Sequence, residues 1–390
     1  MAMFADMKAP LLAVTTALLV SCGVSQSKIP GHMLYADEED QLTHDGGELS
    51  FAVVGNLESE EQVTKDLVGE LRRRVDKKEL DFVLLTGDAV PMSSTKTWQA
   101  FDKLWREVLD GESIPTTEGY RVPVVAVTGD REYVGDKKLL GMEGSFPGYG
   151  TDIGYNRVAS WFHFDVRVDD AIWRFLVVDT NKDKLGSRWN EQMYWIPRAT
   201  EGRYDKILVF MHHPPLTLAK DTDSNNAGAP LELLEAIEDG SGLMKVKAVF
   251  SGQPKTTEVM LPDGKLGTAF FTAGGGGADA EELERWGNAS AQGYGDIMLD
   301  PFFDLKLQGD FEKEARAGEW PEQVIDKAKA SGTWEGFTAA YDPKYFPLYG
   351  YWMVTISGDD LAASYRMYDG GDFDEVYRID FEGREWKSGG

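Results

Sequence analysis

The chain has 390 residues, 42% hydrophobic and 12% aromatic, so it can bury a large core and is not a disordered polymer. Its formal net charge of -26 repels phosphate backbones and argues against nucleic acid as a partner, although a local site can still be positive. The single cysteine, Cys22, excludes an intrachain disulfide.

In chain order, the first pattern is the apolar run Leu11–Val20, LLAVTTALLV. It is shorter than the about 20 residues a membrane-spanning helix needs and has the length of a signal-peptide core. The ending Leu19-Val20-Ser21-Cys22 resembles a lipobox. That resemblance implies that residues 1–21 are removed, that Cys22 is lipidated, and that the protein is extracytoplasmic, anchored to a bacterial membrane in the periplasm or at the outer membrane. A start at Met7 gives a more regular signal, because Asp6 then no longer offsets Lys8. Residues 22–48, rich in Gly, Ser, Asp and Glu, read as a polar tether.

From Leu49 the pattern changes. Leu49–Gly55, Phe82–Asp88 and Val122–Asp130 are short apolar runs, as buried strands are. Gln62–Val75 and Trp98–Leu109 read as helices between them. Trp161–Val168 and Trp173–Thr180 are predicted strands with a turn at Asp169-Asp170. Trp189–Ala199 reads as a helix until Pro197 disturbs it. Lys206–Pro215, Lys247–Gly252 and Thr268–Gly277 supply further strands. Tyr349–Ser357, Leu361–Tyr368 and Glu375–Phe381 close the chain. The intervening residues 300–347 read as a charged, helical insertion in a domain spanning 49–385. Strands alternating with helices, then mostly strands, predict a layered α/β core with mixed sheets.

Polar residues recur where these strands end: Asn56 and Glu58 after Gly55, Asp88 after Gly87, Asp130, Arg131 and Glu132 after Gly129, His212 and His213 before Pro214, and Gln253 and Lys255 after Gly252. Loops at the carboxyl ends of sheet strands converge on one crevice, and glycine lets each turn sharply.

This order of loops resembles the calcineurin-like metallophosphoesterases, including purple acid phosphatases. Their pattern is Asp-x-His, Gly-Asp, Gly-Asn-His-Glu, His-x-Pro and Gly-His-x-His. TGD, MHHPP and WRFLVVDTN match it closely, and the likeness runs from about Leu49 to Gly277. It implies an α/β/β/α layered fold with mixed central sheets and a site that binds two metal ions.

The implied ligands are largely replaced. Asn56 stands for Asp, Glu58 for His, Asp130 for Asn, Arg131 for the His near the leaving group, and Gln253 and Lys255 for two histidines, while Asp88 and His212 are kept. A protonated lysine has no lone pair, so Lys255, with Arg131, is expected to replace metal charge rather than bind metal. Asp88, Asp130, His212 and Gln253 could still hold one ion; an oxygen-rich set favours Mg, Mn or Ca over Zn or Fe. His213 is expected to shape its loop, His163 to serve a sheet, and the Gly274–Gly277 run to be a plain loop.

Three functions remain open. The first is a catalytically degraded, membrane-tethered module that binds a protein partner or a small phosphorylated ligand. The second is a single-metal phosphoesterase, and the third a metal-free enzyme using Asp88, His212 and Lys255.

Overall fold

The computed structural model describes residues 42–44, 47–57, 62–106, 124–146, 160–215, 226, 228–241, 245–255, 257–262, 268–277, 341–346, 349–382 and 385–388. The leader with Cys22, Glu58 and most of the 300–347 segment lie outside them.

Two mixed sheets face each other. The first contains β1 (Leu42–His44), β5 (Phe162–Val168), β6 (Ala171–Val177), β7 (Lys206–Phe210), β8 (Val246–Ser251), β9 (Thr257–Pro262), β10 (Ala269–Ala273) and β11 (Tyr341–Phe346), in the order β1-β5-β6-β7-β8-β10-β9-β11. The second contains β2 (Leu49–Val54), β3 (Phe82–Leu85), β4 (Val124–Ala126), β12 (Gly350–Ser357), β13 (Asp360–Asp369), β14 (Asp372–Glu382) and β15 (Glu385–Ser388), in the order β15-β14-β13-β12-β2-β3-β4. β2, β3 and β4 are mutually parallel, as are β6, β7, β8 and β10, so their carboxyl ends gather at one end of the molecule.

Phenylalanines fill the space between the sheets. Phe164, Phe175, Phe210, Phe250 and Phe271 stack in a row across adjacent strands. From the facing sheet, Phe51 meets Phe175, Phe210 and Phe250 edge-on, and Phe82 meets Phe164 and Phe175. Such pairs add about 0.5–1.5 kcal/mol each beyond the area they bury.

Helices cover both outer faces, which completes the α/β/β/α arrangement. On one side, helix α1 (Gln62–Asp76) buries Leu67, Val68, Leu71 and Val75 and ties Arg74 to the hydroxyl of Tyr351 on β12 at 2.8 Å. On the other, helix Arg188–Ala199 packs on helix Ala229–Ser241, and its Ala199 carbonyl accepts from Arg174 of β6.

Several boundaries differ from the sequence reading. Helix α2 (Thr95–Phe101) starts earlier than Trp98 because Ser94 and Thr97 form a reciprocal cap, and a π-helical turn over Asp102–Arg106 follows it. The helix expected to break at Pro197 runs on to Ala199: a proline in the last turn removes only one donor, and Thr200 Oγ1 donates to the Ile196 carbonyl. The stretch read as tether contains β1, which pairs with β5, and the stretch read as helical insertion ends in β11, an edge strand on β9. Backbone pairing outweighs the polar composition of both segments.

Candidate active site

The strand ends build the site. Immediately after β3, Gly87 and Asp88 both take positive φ, 91° and 53°, and Asn56 after β2 has φ 56°. Such backbone is strained outside glycine and concentrates at functional loops. A Cβ on Gly87 would lie 2.4 Å from His212 Nδ1, so glycine there lets the histidine loop close over Asp88.

Asp88, Asp130 and His212 come together, each offering a ligand atom within 4.8 Å of the others. His212 Nδ1 is 2.9 Å from the Thr86 carbonyl, to which it donates. Its Nε2 therefore faces the carboxylates, 3.1 Å from Asp130 Oδ1 and 3.4 Å from Asp88 Oδ1. Burial would lower the imidazole, but Asp88 and Asp130 outweigh it and hold it up at about 9. Burial raises the Asp88 carboxyl, reinforced by Glu132 and Asp130 and opposed by His212. Asp130 is more open; burial would raise it too, yet the hydrogen bond and charge of His212 hold it well below the usual range.

Arg131 closes over the same carboxylate. Its Nε lies 3.2 Å from Asp88 Oδ2 and its backbone N–H donates to Asp88 Oδ1 at 3.1 Å. Asn56 is turned away: its Nδ2 donates to the carbonyls of Gly252 and Gln253, at 2.9 and 3.2 Å. An aspartate, the residue the family pattern has there, could not make those bonds. Gln253 is fixed through its backbone, its N–H donating to the His212 carbonyl. Lys255 is half-buried on the same loop. Among the described residues it makes no ion pair with Asp88 or Asp130, so of the two cations it is Arg131 that contacts Asp88.

Donor chemistry decides which ions fit. Asp88, Asp130 and His212 Nε2, with Nδ1 anchored to a carbonyl, suit one divalent ion. Among the described residues no second group of ligands accompanies this one: the Asn56 amide serves the backbone and a guanidinium covers Asp88.

Glu132 has a role the sequence reading did not assign. Fully buried, it accepts four backbone amides, from Asp88 and Gly129 on Oε2 and from Ala89 and Val90 on Oε1. Burial pushes its carboxyl up, but with donors on both oxygens the ionised form fits the nest. Its position, three residues after Gly129, was the available signal.

A second buried network backs the site. Tyr133 donates to Asp179 at 2.6 Å, Asn181 donates to the same carboxylate, and Thr180 Oγ1 pairs with His213 Nδ1 at 2.7 Å. His213 is thus held to the loop that follows β6, with its ring edge-on to His212. The Gly274–Gly277 run is a packing junction: Gly276 donates to the Gly55 carbonyl, and a Cβ on Gly274 would strike the Pro254 carbonyl at 1.6 Å.

No protein-family model matches the chain, and neither does any curated protein. Solved structures do match. GAP50, the anchor in the inner membrane complex of Plasmodium, superposes with TM-score 0.52 at 16% identity over 85% of this chain and 88% of its own. PhoD gives 0.51 at 12% identity, over 87% of this chain and 71% of PhoD. The purple acid phosphatase PPD1 of yellow lupin (Lupinus luteus) gives 0.50 at 13% identity, over 84% of this chain and 53% of the enzyme. The chain has a metallophosphoesterase-like fold. Identities this low carry the fold alone; what the site does is argued from its residues.

Proposed function

We propose that this metallophosphoesterase-like protein has lost two-metal hydrolysis and works as a binding or scaffold module, held at a bacterial membrane through lipidated Cys22. The observation that carries this reading is the pair of substitutions around Asp88. Arg131 covers its carboxylate, and the Asn56 amide is spent on the carbonyls of Gly252 and Gln253. In-line displacement of phosphate by two ions requires both, about 3.5–4 Å apart. Arg131 also cannot act as a general acid, since a guanidinium keeps its proton near neutral pH.

The site that remains is a compact arrangement of charge: Asp88 and Asp130 against Arg131 and the imidazolium of His212. The Arg131 side chain is one-third exposed and can meet a phosphorylated ligand or an acidic partner. GAP50 is an anchor in a membrane complex, which fits a scaffold role on this fold. Among the described residues no helix is long and apolar enough to cross a membrane.

The second reading, a single-metal phosphoesterase, draws on the grouping of Asp88, Asp130 and His212. An ion held there would supply Lewis-acid polarisation of a phosphoryl oxygen. Arg131 would then steady charge on the phosphoryl group, and a proton for the leaving group would have to come from water.

Hydrolysis of a nitrophenyl phosphodiester separates the readings. The scaffold reading expects no turnover above an Asp88→Asn control, with or without Mn. Mn-dependent turnover abolished by Asp88→Asn would replace it with the second.

A further inference from the structure

Among the described residues four large hydrophobic side chains are exposed: Met92 at 46%, Val134 at 47%, Leu140 at 49% and Tyr194 at 81%. The first three share one patch. Ser93 N–H donates to the Val134 carbonyl at 3.0 Å, and Asp136 Oδ2 accepts from Ser93 Oγ and from the Gly141 N–H. Buried Trp98 supports them, donating to Ser93 Oγ at 2.8 Å. Met92, Val134 and Leu140 therefore project from a rigid platform built on Ser93 rather than from separate loops.

The patch is basic as well as apolar. Lys96, Lys137 and Lys138 are exposed around it, on a chain whose net charge is -26. The carboxylates of the same loops are engaged inward. Asp88 meets Arg131, Asp130 meets His212, Glu132 meets backbone amides, and Asp136 meets Ser93, Gly141 and the Lys138 N–H. Among the described side chains of these loops, none of the carboxylates is turned to the three lysine side chains.

We infer that this patch docks on an anionic lipid surface, with Met92, Val134 and Leu140 entering the headgroup layer and the three lysines meeting lipid phosphates. Exposed apolar side chains ringed by lysine are the pattern that interfacial binding requires. The topology agrees. Phe51 of β2 lies over β6 and β7, and Phe82 of β3 over β5 and β6, so β4 continues toward β1. β1 runs parallel to β5, which starts at the site end, so the chain enters the fold from the side where the patch follows β4. A lipid anchor at Cys22 would hold that side to a membrane. The inference rests in part on that anchor reading but not on the metal question.

The test is co-sedimentation of the full chain carrying Cys22→Ser, which removes lipidation, with vesicles of phosphatidylglycerol and phosphatidylcholine or of phosphatidylcholine alone. The apolar leader is common to all samples and cancels in the comparison. Partition onto the anionic vesicles is expected to exceed that onto neutral ones and to fall with salt. Each lysine removed from Lys96, Lys137 and Lys138 is expected to weaken it about fivefold. Met92→Ser/Val134→Ser/Leu140→Ser should lower partition to the level that the leader alone gives, while Tyr194→Ser should not change it. Equal partition of the parent onto both vesicle types would overturn the inference. So would vesicle-independent self-association lost in the patch variants, which would assign the face to a second copy of the chain.

Discussion

Arg131 grips both oxygens of Asp88, through its guanidinium Nε at 3.2 Å and its own backbone N–H at 3.1 Å. The side-chain contact competes with any cation for that carboxylate, and the backbone contact does not. Arg131→Ala is therefore expected to raise the affinity for Mn at least about fivefold, the size of a modest charge–charge term. Isothermal titration of parent and variant measures it, and an unchanged affinity would show that Arg131 does not guard the site.

Asn56 gives the second prediction. An aspartate there would turn a donor into an acceptor facing the Gly252 and Gln253 carbonyls. Asn56→Asp should lower stability by about 1–3 kcal/mol in chelator, read by thermal melting. Mn should restore part of the loss. A melting temperature equal to that of the parent in chelator would contradict the donor role.

Glu132 supports Asp88 from below through four amides. Glu132→Ala leaves several buried N–H groups without acceptors and should cost about 3 kcal/mol or more in denaturant unfolding. Glu132→Gln turns donor hydrogens toward donors and should cost about 2 kcal/mol. Stability of Glu132→Gln equal to the parent would mean the nest does not require an anion.

His163 sets a pH dependence away from the site. Burial, helped by the charge of Arg174, lowers its imidazole to about 4, with the ring beside Trp195. The unfolded chain takes that proton near 6.5, so acid favours unfolding between the two values. Stability should drop by up to about 3 kcal/mol as pH falls from about 6.5 to about 4, and that contribution should then level off. His163→Gln should flatten the decline. Parallel pH profiles for parent and variant would show that His163 is solvated.

The sheet and the convergence of its loops were legible because each buried strand is a short apolar run closed by glycine and a polar residue, as at Leu49–Gly55 and Phe82–Asp88. The strand edges were not: β1 and β11 are polar three- and six-residue segments specified by pairing partners, not by composition. At the site, the residue types at Asp88, Asp130 and His212 pointed to their meeting. The direction of Asn56 and the buried nest of Glu132 depend on backbone groups brought from distant loops, which one sequence does not display. Lys255 shows the converse: a cation at a ligand position in the sequence makes no ion pair with Asp88 or Asp130.

Metal content is the most direct test of the central claim. Elemental mass spectrometry of the purified chain, beside its Asp88→Asn variant, separates bound ions from those adsorbed by an acidic surface. The same low content is expected in both, because Arg131 and the His212 imidazolium already face Asp88 and Asp130. One or two equivalents per chain in the parent, lost in Asp88→Asn, would contradict it and return the protein to the metallohydrolases.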